Sequence, residues 1–140
     1  MPTETLDYHY QTVGRILSYL IENGLSKINL EPSDAISIMT ERWGTEEEAL
    51  RSFSDIIEWM LDEGLIRADA KSQTLDGPTS LFGVQLTSKG IGLIQIKPAN
   101  DKSIEETIRD APKEGLDAQT YTKIGAFAGA ALGGLIKTIS

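Results

Sequence analysis

Side chains able to do covalent or acid-base chemistry are sparse in this sequence. There is no cysteine and a single histidine, His9. Disulfides, thiolate metal sites and cysteine nucleophiles are therefore excluded, and neither a two-histidine metal site nor a histidine relay can form. His9 sits before the first helix in Tyr8-His9-Tyr10 and reads as a surface or edge residue. Carboxylates are plentiful, but none stands in a recognisable catalytic pattern, and Ser33-Asp34 and Ser54-Asp55 read as ordinary helix residues. Gly90-Ile91-Gly92 is too short and wrongly placed for a dinucleotide loop, and no GxxxxGK[ST] phosphate loop occurs. The residue types thus point to a non-enzymatic protein with no cofactor and no metal.

The spacing that stands out lies at the C-terminal end. Gly125, Gly129 and Gly133 recur every four residues, a GxxxGxxxG pattern. On a helix they form one smooth row, which Ala126, Ala130 and Gly134 widen. Ile124, Phe127, Leu132, Leu135, Ile136 and Ile139 occupy the other side. Such a row lets two backbones approach closely, as between membrane helices. Each interior glycine costs a helix about 1 kcal/mol relative to alanine, so close packing or an apolar medium must compensate. The run from Ile124 to Ile136 would extend only about 20 Å, against a hydrocarbon core of about 30 Å. It is short for a simple anchor; packing on its own domain or on a second copy, interfacial or oligomeric insertion, and order only on meeting a partner all remain open. Lys123 and Lys137 are too few to make a strongly basic interfacial face.

Thirteen basic residues face 21 acidic ones, a net charge of −8 in 140 residues. A broad phosphate-binding surface is therefore not expected, because such binding relies on Lys and Arg. Hydrophobic residues make up 40%, enough for one core but not two. The polar, acidic N-terminus is not a signal peptide, which suggests a cytoplasmic location, with membrane association as a variant through the tail.

Several elements must position these residues. A first helix carries Tyr10, Val13, Ile16, Leu17, Leu20 and Ile21 on one face and closes at Gly24. Lys27-Ile28-Asn29-Leu30 alternates as a short strand. Ser33 can cap a second helix reaching Arg42 or Trp43. Thr45-Glu46-Glu47-Glu48 is a capping box for a third helix, whose stripe is Ala49, Leu50, Phe53, Ile56, Ile57, Met60 and Leu61. Leu65 to Ala70 and Phe82 to Leu86 read as strands around an Asp76-Gly77-Pro78 turn, and Thr87 caps a further helix that stops by Pro98. Beyond Pro98, Ser103-Ile104-Glu105-Glu106 is a second capping box for a short helix to about Ala111.

The order helix, strand, helix, helix, strand, turn, strand, helix resembles the winged-helix superfamily. The resemblance is carried by Asp62-Glu63-Gly64-Leu65-Ile66 at the end of the third helix. It is also carried by Gln85-Leu86-Thr87-Ser88-Lys89-Gly90, similar to the junction after the wing in many small bacterial regulators. It covers roughly Leu6 to Lys97. A winged helix often reads DNA with its third helix, yet here the segment from Thr45 to Glu63 holds Glu46, Glu47, Glu48, Asp55, Glu58, Asp62 and Glu63 against Arg51 alone. That charge repels a polyanion. Trp43 and Trp59 lie off the apolar stripes and suit aromatic anchors at a protein interface, with Glu47 and Glu58 beside them on the acidic face.

The expectation is a mainly α fold with a small β-wing: a winged-helix domain at 1–97, a polar connector with a short helix at 98–122, and an apolar glycine-zipper helix at 123–140. The expected role is a protein-interaction module whose tail (Gly125, Gly129, Gly133, Phe127, Leu132, Leu135, Ile136) mediates homo-oligomerisation, at a membrane as one variant. On that view Gly129→Leu disrupts assembly and leaves residues 1–97 folded. The alternative is a dimeric DNA-binding transcription regulator.

Overall fold

Burial of the stripe between Thr45 and Gly64 organises the rest of the chain. The computed structural model describes residues 2–39, 45–73, 75, 77–98 and 101–133. Its elements run α1 (Pro2–Asn23), β1 (Ile28–Leu30), α2 (Pro32–Ile38), α3 (Glu46–Asp62), β2 (Ile66–Arg67), β3 (Ala70–Gln73), β4 (Thr79–Leu86), α4 (Ser88–Ile94), α5 (Ile104–Arg109) and α6 (Ala118–Leu132). The fold is mainly helical with a small antiparallel sheet.

Local signals explain where most helices start. Thr45 accepts from the Glu48 amide at 3.1 Å and Glu48 reaches back, so the first orphan donors of α3 are satisfied. Ser103 and Glu106 do the same for α5, and Thr87 caps α4 through the Gly90 amide. α2 departs from expectation: its cap is Glu31, in a reciprocal arrangement with Asp34, and Ser33 lies inside the helix. Pro32, with its preset φ and no amide hydrogen, takes the first helical position and moves the start forward.

The core gathers Phe53, Ile57 and Met60 of α3, Ile16, Leu17 and Leu20 of α1, and Leu30, Leu65, Ile66, Leu81 and Val84 from the sheet and its approach. Burying a side chain of this size contributes about 1.5–3 kcal/mol. Ile104 and Ile108 of α5 and Tyr121, Ile124 and Ala128 of α6 belong to the same cluster.

β4 is the hub of the sheet, with β1 on one edge and β2 and β3 sharing the other. The strand expected over Leu65 to Ala70 is broken into β2 and β3, because β4 bends at Gly83, whose φ is +66°. The pairing of β1 shifts register across the same place. A side chain at Gly83 would run into the Asp69 carboxyl. Asp69 instead pairs with Lys27 at 2.9 Å and donates its amide to the Phe82 carbonyl.

The C-terminal helix starts earlier than its apolar composition suggests, at Asp117, which caps it through the Thr120 amide at 2.8 Å. It runs antiparallel to α1. A Cβ on Gly14 would fall on the Tyr121 backbone, and one on Gly125 on the Tyr10 backbone. The glycines let the two helix backbones approach more closely than any side chain would allow. Arg15 lies over the Tyr121 ring, 4.5 Å from its centre, and adds a cation–π contact to the seam.

Candidate docking groove between α1 and α3

The outer side of α3 is acidic. Glu46, Glu47, Glu48, Asp55 and Asp62 are exposed, as is Glu63 just beyond. Arg51, the one base on the helix, sits 3.6 Å from the Glu47 carboxylate. Glu58 is differently placed. Lys71 of β3 donates to one of its oxygens at 2.8 Å and Thr79 of β4 to the other at 2.8 Å. Ser54, one turn earlier, accepts from the Thr79 amide at 2.9 Å. These bonds tie the β3–β4 hairpin to α3. The Lys71 bond, then the Thr79 bond, hold the Glu58 carboxyl below its usual pKa.

Beside the acidic side, α1 and α3 enclose an apolar groove of roughly 310 Å³. Leu6, His9, Tyr10 and Val13 line it from α1, and Asp55, Ile56 and Trp59 from α3. Val13 and Ile56 form a buried floor, Trp59 is half-buried, and Leu6 keeps 49% of its surface exposed. Leu6, Tyr10 and Val13 fall at four- and three-residue steps on one face of α1. His9 lies inside α1 rather than before it, half-buried on the groove wall. Burial pushes its pKa below the ordinary histidine value, with Asp55 pulling the other way; the ring is therefore neutral at pH 7.

A larger cleft of roughly 550 Å³ lies among α1, α5 and α6, lined by Ser18, Glu22, Glu105, Arg109, Lys113 and Tyr121 among others. Its charges are balanced internally, with Arg109 donating to Glu105 at 2.9 Å.

The residues singled out from sequence are dispersed. Trp59 sits in the groove. Glu47 projects into solvent on α3, while Glu58 anchors the hairpin. Gly125 is buried against Tyr10 of the same chain, and Gly129 lies under the Tyr10 ring, where a Cβ would come 2.9 Å from the hydroxyl. Gly133 is exposed and a Cβ there would meet nothing closer than 3.6 Å. Phe127 and Leu132 are partly buried against the core. Trp43, Leu135 and Ile136 lie outside the described residues. Nothing local in the sequence marks Leu6, Tyr10, Val13, Asp55 and Ile56 as sharing a groove. The one partial signal is Leu6, which extends the apolar period of the first helix by one turn.

Among the described residues, no helix is long and apolar enough to cross a membrane, and no group of three or more carboxylates or imidazoles is placed to hold a metal ion. Compared with family models, curated proteins and solved structures, the chain has no match.

Proposed function

We propose that this chain is a non-enzymatic protein-interaction module of winged-helix type that docks a partner protein in the α1–α3 groove. The winged-helix reading rests on the order α1-β1-α2-α3-β2, the hairpin β3–β4 in the position of a wing, and the sheet order β1-β4-β2. The single observation that carries the functional reading is the groove itself. An apolar floor with an exposed Leu6 and a half-buried Trp59 opens directly beside α3, and partly wet aromatic anchors of this kind are enriched in binding energy at interfaces.

The same helix disfavours the DNA-regulator alternative. In that fold α3 would approach the major groove, and its exposed residues here are carboxylates with a single, already paired arginine. Self-association through the glycine row would require α6 to leave α1 and exchange between copies, since Gly125 and Gly129 already have an intramolecular neighbour.

The test places a photo-crosslinking amino acid at position 6, 55 or 113 of the full chain in its native cells. Positions 6 and 55 should trap the same protein, and position 113 should not. Identical products from all three positions, or none from 6 and 55, would contradict groove docking. Retardation of random DNA at low salt would restore the regulator reading.

A further inference from the structure

Resting on the docking reading, we infer that the groove's occupant is a partner segment with apolar anchors flanked by Lys or Arg. The charge around the groove selects this chemistry. Glu48, Asp55, Trp59 and Asp62 follow one another at steps of seven, four and three residues, so they share one face of α3. Trp59 therefore has a carboxylate one turn before it and another one turn after it. Asp55 and Asp62 are exposed; among the described residues neither makes a direct ion pair, although Asp62 lies near enough to Lys71, which is bonded to Glu58, for the two charges to be felt, and Asp55 acts likewise on His9. Asp7, next to Leu6 in sequence and outside the groove lining, is also exposed. His9, the one groove residue able to carry positive charge, is kept neutral at pH 7 by burial.

An apolar occupant without charge would gain nothing from Asp55 in the groove wall or from Asp62, one turn beyond Trp59 on the same helix face. An acidic one would be repelled, on a chain whose net charge is −8. A basic flank turns the same two carboxylates into close partners and speeds encounter. The cavity, at the lower end of the size of small-molecule sites, suits one or two large side chains. Binding energy then comes from the apolar anchors, and choice of partner from the charged flanks.

The test uses three synthetic helical peptides with the full chain. The first two share one pattern of Leu and Ile and carry either Lys or Glu at the flanking positions. The third has the composition of the Lys peptide with its apolar phase scrambled. Anisotropy titration at low salt should show the Lys peptide binding about 2- to 30-fold tighter than the Glu peptide, the range expected for two exposed ion pairs. Amide shifts should concentrate at Leu6, Val13, Ile56 and Trp59. The preference should fall to near parity in Asp55→Asn/Asp62→Asn, and likewise at high salt. Equal affinity of both patterned peptides at the groove would overturn the basic occupant while docking stands. Equal binding of the scrambled peptide, or a preference unchanged in the double variant, would reduce the effect to general attraction and overturn it too. No binding at the groove by either patterned peptide would overturn both readings.

Discussion

Gly125→Ala adds one methyl group to the seam between α1 and α6, and the geometry sets its cost. The new Cβ would press on the Tyr10 carbonyl oxygen and lie 2.6 Å from its carbon and 2.8 Å from the Tyr10 Cα. Carbon atoms pack at about 3.5–4.0 Å, so the two backbones must part locally by about 1 Å. Nothing here can rotate away, because the obstacle is main chain. Overpacking of this kind costs about 1–3 kcal/mol, and the upper part of that range applies. Alanine returns about 1 kcal/mol of helix propensity, leaving a net loss of about 1–2 kcal/mol. Gly129→Ala meets only the Tyr10 ring, at 2.9–3.2 Å, and a ring can swing, so its net effect should lie near zero. Gly133→Ala makes only ordinary contacts, 3.6 Å from the Ala130 and Gly129 carbonyl oxygens, and should cost nothing. Thermal denaturation of the three variants should give that order, with Gly125→Ala lowering the melting temperature by about 3–10 °C. The shift should be the same across a tenfold range of protein concentration, since the contact is intramolecular. A Gly125→Ala protein as stable as the parent, or a loss that depends on concentration, would refute the packing of α6 on α1.

Four further expectations can be checked separately. Glu58→Gln should flatten part of the acid limb of stability: the carboxyl is held below its ordinary pKa in the fold, so it stabilises above that ordinary value, and the contribution disappears as pH falls through the lower folded value; thermal melts at pH 7 and pH 3 would show it. His9 is also depressed, by burial, and for a base the unfolded chain then takes the proton first, so the parent should lose stability as pH drops below about 6.5, and His9→Gln should lose less between pH 7.5 and pH 5. Gly83→Ala forces a side chain into a left-handed backbone at φ +66° and against Asp69; a loss of about 1–3 kcal/mol is expected, with the amide signals of β3 shifted most. Leu6→Ser removes an exposed groove residue and should abolish partner crosslinking from position 55 while changing stability by no more than about 0.5 kcal/mol; a retained crosslink would place the partner elsewhere.

Features encoded within one helical turn were legible in the sequence. The boxes at Thr45 and Ser103 and the cap at Thr87 each name their partner three residues away, and each forms as read. The third-helix stripe was equally plain, because its period is its own evidence. Features that depend on a distant neighbour were not. The row at Gly125 and Gly129 says that something approaches closely but not what. Its counterpart, Gly14, is a lone glycine in a helical pattern, and only the fold shows that it receives Tyr121. The break between β2 and β3 originates in another strand, at Gly83. Glu58 looked like one more surface acid, since periodicity cannot show that Lys71, on a different element, reaches it. The start of α6 was a local signal overlooked: Asp117 and Thr120 form a cap, but the apolar run beginning at Ile124 drew the boundary later. The groove belongs to both classes, with Leu6 readable from spacing and its pairing with Trp59 not.

Gly125 and Gly129 are covered by Tyr10 of the same chain, and this is what leaves the α1–α3 groove as the proposed surface for a partner. An isotope-filtered NOE experiment on an equimolar mixture of labelled and unlabelled protein tests this directly. The Tyr10 ring and the Gly129 α-protons should show a strong NOE within labelled molecules and none between labelled and unlabelled ones. An NOE that appears only across molecules, or none at all, would contradict it.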